Sequence, residues 1–177
     1  MLLIRHGQSE FNVHYSKTRV DPGIVDPRLT EAGKQQITEA AQDLTSAPRR
    51  PTRLISSPYW RALETAEILG EALGLTTEVE TLVSERAFFV CDVGSPRGEL
   101  EARFPHVSFG DLPEIWWPYP DESEGELNQR CQRFRLKAAA WADWPELLIV
   151  SHWGFIRGLT GRSVENATLL RHDPTIA

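Results

Sequence analysis

Three short apolar runs, Leu2-Leu3-Ile4, Leu54-Ile55 and Leu147-Leu148-Ile149-Val150, punctuate the chain, and each ends abruptly in polar residues. Runs of this length with no polar alternation are the pattern of strands buried on both faces, as in parallel sheets covered by helices. Helical periodicity fills the connections. Ile37, Ala40, Ala41 and Leu44 share one face after Thr30, which is placed to cap the first turn. A second helix is expected to begin near Pro58, suited to its first turn, with Ala62, Ala66, Leu69 and Leu73 on one stripe. Leu127, Cys131, Phe134, Ala138 and Trp141 recur at steps of four and three, predicting a third helix from about Glu122 to Asp143. Strands alternating with helices imply an α/β fold, a three-layer sandwich whose mostly parallel central sheet is flanked by helices. Ligands of such sheets bind beyond the carboxyl ends of the strands. His6, Ser57 with the following Arg61, and His152 all fall just past strand ends, so they are expected to meet in one crevice.

With 177 residues and neither internal repeat nor linker, the chain is expected to form a single domain over residues 1–177. Between Arg86 and Asp121 periodicity fails and Pro96, Pro105, Pro113, Pro118 and Pro120 intervene. This stretch, about 86–121, reads as a lid excursion over the crevice, with one short helix near Glu99 to Phe104. Charge is unevenly placed: from Arg86 to Glu126 there are nine Asp/Glu against three Arg, within a net charge of −6. The cover of the crevice is therefore expected to be acidic, repelling polyphosphates and suiting a small monophosphate or one with a cationic part.

No basic stripe with interleaved aromatics is present, which argues against a nucleic-acid partner. Neither a membrane-spanning run nor a signal-peptide pattern is found, so the expected compartment is the cytoplasm. Cys91 and Cys131 lie far apart without metal-binding spacing and are expected to be reduced thiols. No carboxylate/histidine cluster suited to a metal pair is recognisable, and no cofactor is implied. Nothing in the sequence specifies an oligomeric state.

A phosphate monoester is a dianion, and Arg presents planar, permanently charged donors matched to its oxygens; Arg5 and Arg61 are the candidates. A neutral imidazole nitrogen can accept the phosphoryl group without metal activation, and His6, beside the flexible Gly7 at a strand end, is placed for that. His152 can stabilise the charge spread over the transferring oxygens. Ser57 lacks a nucleophile elbow around it and reads as a backbone or capping residue. Trp116-Trp117 read as core or lid packing rather than a stacking platform. His14, His106 and His172 have no context that assigns them chemistry.

The segment Leu3-Ile4-Arg5-His6-Gly7-Gln8-Ser9-Glu10-Phe11-Asn12 resembles the signature of the histidine phosphatase superfamily, the phosphoglycerate-mutase-like proteins. Asp26-Pro27-Arg28-Leu29-Thr30-Glu31-Ala32-Gly33, Ser56-Ser57-Pro58-Tyr59-Trp60-Arg61-Ala62, Ser84-Glu85-Arg86 and Val150-Ser151-His152-Trp153-Gly154 continue the resemblance in order along the chain. The resemblance implies that His6 is phosphorylated and that Arg5, Asn12, Arg61 and His152 surround the phosphoryl group. Glu85 matches the family's proton donor, and Gly7, Ser9 and Trp153 fall where substrate is bound. Trp153-Gly154 after His152, the short chain and Ser84 before Glu85 depart from the mutases and favour a phosphatase branch. The function so implied is hydrolysis of a small phosphorylated metabolite through phosphohistidine, without a metal. A phosphomutase using the same histidine, or a silent phosphate-binding module that has kept the pocket, are the alternatives.

Overall fold

The computed structural model describes residues 1–118 and 121–176; Tyr119 and Pro120, which fall within the expected lid, and Ala177 lie outside the described residues. The three apolar runs are strands: β1 (Leu2–Arg5), β2 (Arg53–Ser56) and β5 (Leu147–Ser151). They are joined by β3 (Thr77–Val79), β4 (Val107–Ser108) and β6 (Leu169–Arg171) in a six-stranded sheet of order β4-β3-β2-β5-β1-β6. Only β6 runs antiparallel, against β1. Every residue of β5 is buried because helices cover both faces of the sheet.

The alternation within each run divides the core. Leu3, Ile55, Leu147 and Ile149 face α5 (Glu124–Ala139) and α6 (Trp153–Thr160), meeting Leu127, Phe134, Phe155 and Ile156. Ile4, Leu54, Leu148 and Val150 face α2 (Glu31–Ser46) and α3 (Trp60–Leu73), meeting Ile37, Leu44, Ala66 and Leu69. These are the three layers expected of the sequence. Thr30 caps α2 as its position suggests, its hydroxyl accepting the Gly33 N–H at 3.0 Å.

The helix starts differ in two places. Pro58 does not occupy the first turn of α3, which begins at Trp60; the Asp26 carboxylate instead accepts the Trp60 N–H at 2.9 Å, reaching from a distant loop to cap the helix. The third helix is shorter than its stripe, starting after a capping box made by Ser123 and Glu126 and ending at Ala139. Trp141 still packs on the same core cluster from beyond the helix end.

The excursion is only partly a lid. Its middle forms α4 (Arg97–Arg103), close to the short helix expected there, and then edge strand β4, which pairs with β3. Leu100, Phe104, Phe109, Leu112 and Trp116 pack with Tyr59, Trp60 and Leu63 into a third apolar cluster. Trp116 is thus a core residue, its indole N–H donating to the Ser95 carbonyl at 2.9 Å.

Candidate active site

Strands β2, β5 and β1 are adjacent, and their carboxyl ends deliver Ser57, His152 and His6 to one place. Backbone bonds extend the ladder past the strand ends: His6 N–H donates to the Ser151 carbonyl at 3.0 Å and Ser57 N–H to the Val150 carbonyl at 3.1 Å. Gly7 can follow His6 because its backbone presses on α2. A Cβ there would lie 2.5 Å from the Gly33 carbonyl oxygen, and one on Gly33 would lie 2.1 Å from the Gln8 carbonyl oxygen. Gly7 is therefore a close-approach residue that does not line the crevice, contrary to the substrate contact expected of it.

The crevice is a cavity of about 710 Å³. Arg5, His6, Ser9, Asn12, Arg61, Glu85 and Trp153 line it, so most of the anticipated residues converge. His152 lies just beneath, fully buried, its ring centroid 5.0 Å from that of His6. Nδ1 of His6 stands 2.7 Å from the Gly7 carbonyl oxygen. A carbonyl can only accept, so Nδ1 carries the proton and the lone pair resides on Nε2. Nε2 of His152 is 2.8 Å from the Ser57 hydroxyl, and Ser57 Oγ also accepts the Tyr59 N–H at 3.5 Å. No acceptor other than His152 Nε2 stands within hydrogen-bond reach of the Ser57 hydroxyl among the described residues, so the hydroxyl is assigned as the donor and the proton of His152 to Nδ1.

Burial lowers the pKa of both imidazoles well below the ordinary 6.5, and the neighbouring Arg61 guanidinium reinforces it, so both rings are neutral near pH 7. Burial raises that of Glu85 above its ordinary value, with the Asp92 carboxylate acting in the same direction. Glu85 is held by the Arg86 N–H, which donates to Oε1 at 2.8 Å. Against it lies Gly154 in the first turn of α6, where a Cβ would come within 2.4 Å of the same oxygen.

Arg61, 3% exposed, donates to the Cys91 carbonyl at 2.8 Å and to Asp92 Oδ1 at 3.1 Å. The other Asp92 oxygen accepts the Phe88 and Phe89 N–H groups at 3.1 and 3.0 Å. One carboxylate thus ties the loop after Glu85 to the guanidinium. Arg5 donates through Nη1 to the Val164 carbonyl at 2.9 Å, while its Nε and His152 Nδ1 are buried without a partner among the described residues. Ser9 and Asn12 form the capping box of α1 (Glu10–Thr18), and Asn12 Oδ1 also accepts from Asn166 Nδ2 at 3.1 Å. Asn166 reaches the His6 carbonyl as well, at 3.0 Å. Nothing in its polar surroundings marks Asn166 in the sequence, whereas Gly33, a glycine in the first turn of α2, is a readable sign of close backbone approach.

The acidic cover does not stand at the crevice. Of the nine carboxylates from Arg86 to Glu126 only Asp92 lines it, bound to Arg61. Glu101 pairs with Arg97, Glu122 with Arg130, and Glu126 caps α5. Arg19 and Arg86 sit at the rim instead. Cys91 and Cys131 are free and buried. Among the described residues no group of three or more His, Cys, Asp or Glu is placed to hold a metal ion, and no helix is long and apolar enough to cross a membrane.

An α/β sheet thus gathers two neutral histidines, two arginines and a carboxyl at its carboxyl edge. The chain belongs to the histidine phosphatase superfamily (branch 1), whose family model matches residues 1–175. It is 30% identical over 169 residues to the glucosyl-3-phosphoglycerate phosphatase of Mycobacterium tuberculosis, covering 90% of this chain and 73% of that protein. A solved structure of a mycobacterial glucosyl-3-phosphoglycerate phosphatase with VO3 aligns at a TM-score of 0.66 and 27% identity, over 96% of this chain and 88% of that one. Similarity to the 2,3-bisphosphoglycerate-dependent phosphoglycerate mutase of Corynebacterium jeikeium is 39% over 72 residues, 41% of this chain and 27% of that protein.

Proposed function

We propose that the protein is a phosphatase of small phosphate monoesters, residues 1–177 acting as one catalytic domain, and that the phosphoryl group passes through His6. The observation that carries this is the contact of His6 Nδ1 with the Gly7 carbonyl, which dedicates Nε2 to attack. Nε2 forms a bond to phosphorus as the bond from phosphorus to the ester oxygen breaks, and Glu85 gives its proton to that oxygen. Water then attacks phosphorus, Glu85 takes a proton from it, and the bond to Nε2 breaks to release inorganic phosphate.

Arg61, Arg5 Nε and His152 Nδ1 are the donors for the three oxygens of the transferring group. A buried donor without a partner costs about 1–3 kcal/mol, and two such donors flanking one nucleophile suit an anion that completes both. Asn12, its Oδ1 already engaged, offers its amide N–H groups to the same oxygens. The long match to phosphatases, against a short one to a mutase, supports water as the final acceptor.

Rapid quenching with radiolabelled substrate tests this. Acid-labile, base-stable label is expected on His6 and absent from His6→Ala, with stoichiometric phosphate release and no bisphosphate activator required. Single-turnover hydrolysis without any trapped label refutes the covalent route.

A further inference from the structure

The phosphoryl-binding residues occupy the floor of the crevice, and a different chemistry lines its mouth. Phe11, Tyr15 and Phe89 pack together there, with ring centroids 5.1–5.4 Å apart, and Phe88 joins Phe89 edge to face at 5.0 Å. Two large apolar side chains that line the cavity stay open to water, Phe88 at 55% exposure and Trp153 at 39%. Both flank Glu85. Phe88 follows it by three residues, and Trp153 precedes the glycine whose Cα backs the carboxylate. Each ring is braced by a guanidinium: Arg86 stands 5.5 Å from the Phe88 centroid and Arg157 5.1 Å from that of Trp153. Such bracing limits the freedom a ring would lose on stacking against a ligand.

Glu85 marks the side from which the alcohol departs, so the groups around it are the groups that meet the alcohol. We infer that the leaving group of the preferred substrate is an apolar, ring-bearing alcohol seated against Phe88 and Trp153, rather than a sugar or a hydroxy acid. This rests on the phosphatase activity proposed above. Arg19 and Arg86 at the rim can meet a carboxylate, but the large open faces beside Glu85 are the Phe88 and Trp153 rings, which a flat ring covers with displacement of their water and the hydroxyls of a sugar or glycerate do not.

The measurement is kcat/KM for 2-phenylethyl phosphate and for ethyl phosphate, whose alkoxides are of similar basicity, together with 3-phosphoglycerate and a hexose phosphate. Wild-type protein is expected to favour 2-phenylethyl phosphate over ethyl phosphate by about tenfold or more, as an aromatic contact plus its buried area supplies. Phe88→Ala with Trp153→Ala should bring the ratio close to one, and Phe88→Leu should retain part of it. Both positions are exposed, so folding of the variants can be verified by circular dichroism. A wild-type ratio near one, a preference for 3-phosphoglycerate or hexose phosphate, or a ratio unchanged in the double variant overturns the inference. Phosphate release from none of the four esters would instead refute the phosphatase reading itself.

Discussion

Gly154→Ala tests whether Glu85 acts as an acid from one fixed position. The added Cβ would lie 2.4 Å from Glu85 Oε1, 3.3 Å from Glu85 Cδ and 3.2 Å from Arg86 Cβ. Ordinary contact begins near 3.4 Å, so the carboxylate oxygen has to retreat by about 1 Å, loosening its 2.8 Å bond from the Arg86 N–H. A misplacement of about 1 Å costs up to about a hundredfold in rate, within the hundredfold to ten-thousandfold that a general acid supplies. The fold is expected to tolerate the change. Alanine is favoured over glycine in a helix by about 1 kcal/mol, and the atom most displaced is the end of a side chain. Melting should therefore shift by no more than about 4 °C. The assay is the first half-reaction, by burst kinetics, on an alkyl phosphate and on nitrophenyl phosphate, whose leaving group needs no proton. Gly154→Ala should slow the alkyl burst about a hundredfold and the nitrophenyl burst by less than about threefold. Glu85→Gln should show the same selectivity, and the double variant should be little worse than Glu85→Gln alone. An alkyl burst retained within threefold, or both bursts slowed equally at unchanged stability, refutes the role given to Glu85.

Phosphate release is expected to survive excess chelator, because imidazole and guanidinium groups supply what a cation would; loss of activity restored by a divalent ion contradicts this. The pH profile of kcat/KM should be bell-shaped, falling on the acid side as His6 protonates and on the alkaline side as Glu85 loses its proton, and a steady rise into alkaline pH would count against that pairing. The unfolded chain binds protons on His6 and His152 at a pH where the native state does not, so stability should fall as pH drops below 6.5. The slope is up to about 1.4 kcal/mol per pH unit for each histidine, and a melting temperature flat from pH 7 to 5 would refute it. Gly7→Ala, forced within 2.5 Å of the Gly33 carbonyl oxygen, should lower stability by about 1–3 kcal/mol, checked by denaturant unfolding; an unchanged midpoint would show that the loop yields freely.

The central strands were legible because burial on both faces strips them of polar residues; Leu147 to Val150 has no other reading at that length. The sheet edges were not. β4 spans two residues and β6 three, too short for alternation to register, and β4 gains its place only through pairing with β3. That is also why a proline-rich segment read as a lid while much of it is core: Phe104 and Phe109 become core only when α3 stands beneath them. At the site, His6, His152 and Arg61 were readable from their positions at strand ends. The partners that set their state were not, since Ser57, Asp92 and Asn166 act across 95, 31 and 160 residues of sequence. The acidic character of residues 86–126 was a true count and a poor guide to the mouth, because ion pairs and a cap, formed only in the fold, engage five of the nine carboxylates, Asp92, Glu101, Glu122, Glu124 and Glu126.

In the proposed reaction His6 has to be neutral while Glu85 is protonated. With ordinary values of 6.5 and 4.5 these states coexist in about 1% of molecules at best, because the carboxyl ionises before the imidazolium does. Burial moves the two groups towards each other, lowering one and raising the other. The Arg61–Asp92 pair, 3.1 Å apart, works in the same sense, since Arg61 lowers His6 and Asp92 raises Glu85 by more than Arg61 draws it down. Arg61 is the first neighbouring charge to lower His6, and Asp92 the first to raise Glu85. A single buried ion pair, nearly neutral as a unit, can do this because each member acts most strongly on a different partner. Arg61 also remains able to meet a phosphoryl oxygen, while Asp92 divides its two oxygens between the guanidinium and the loop amides that follow Glu85. The groups that would hold the dianion are thus the groups that tune its nucleophile and its acid, so phosphate affinity and proton inventory are set together by one arrangement of charge.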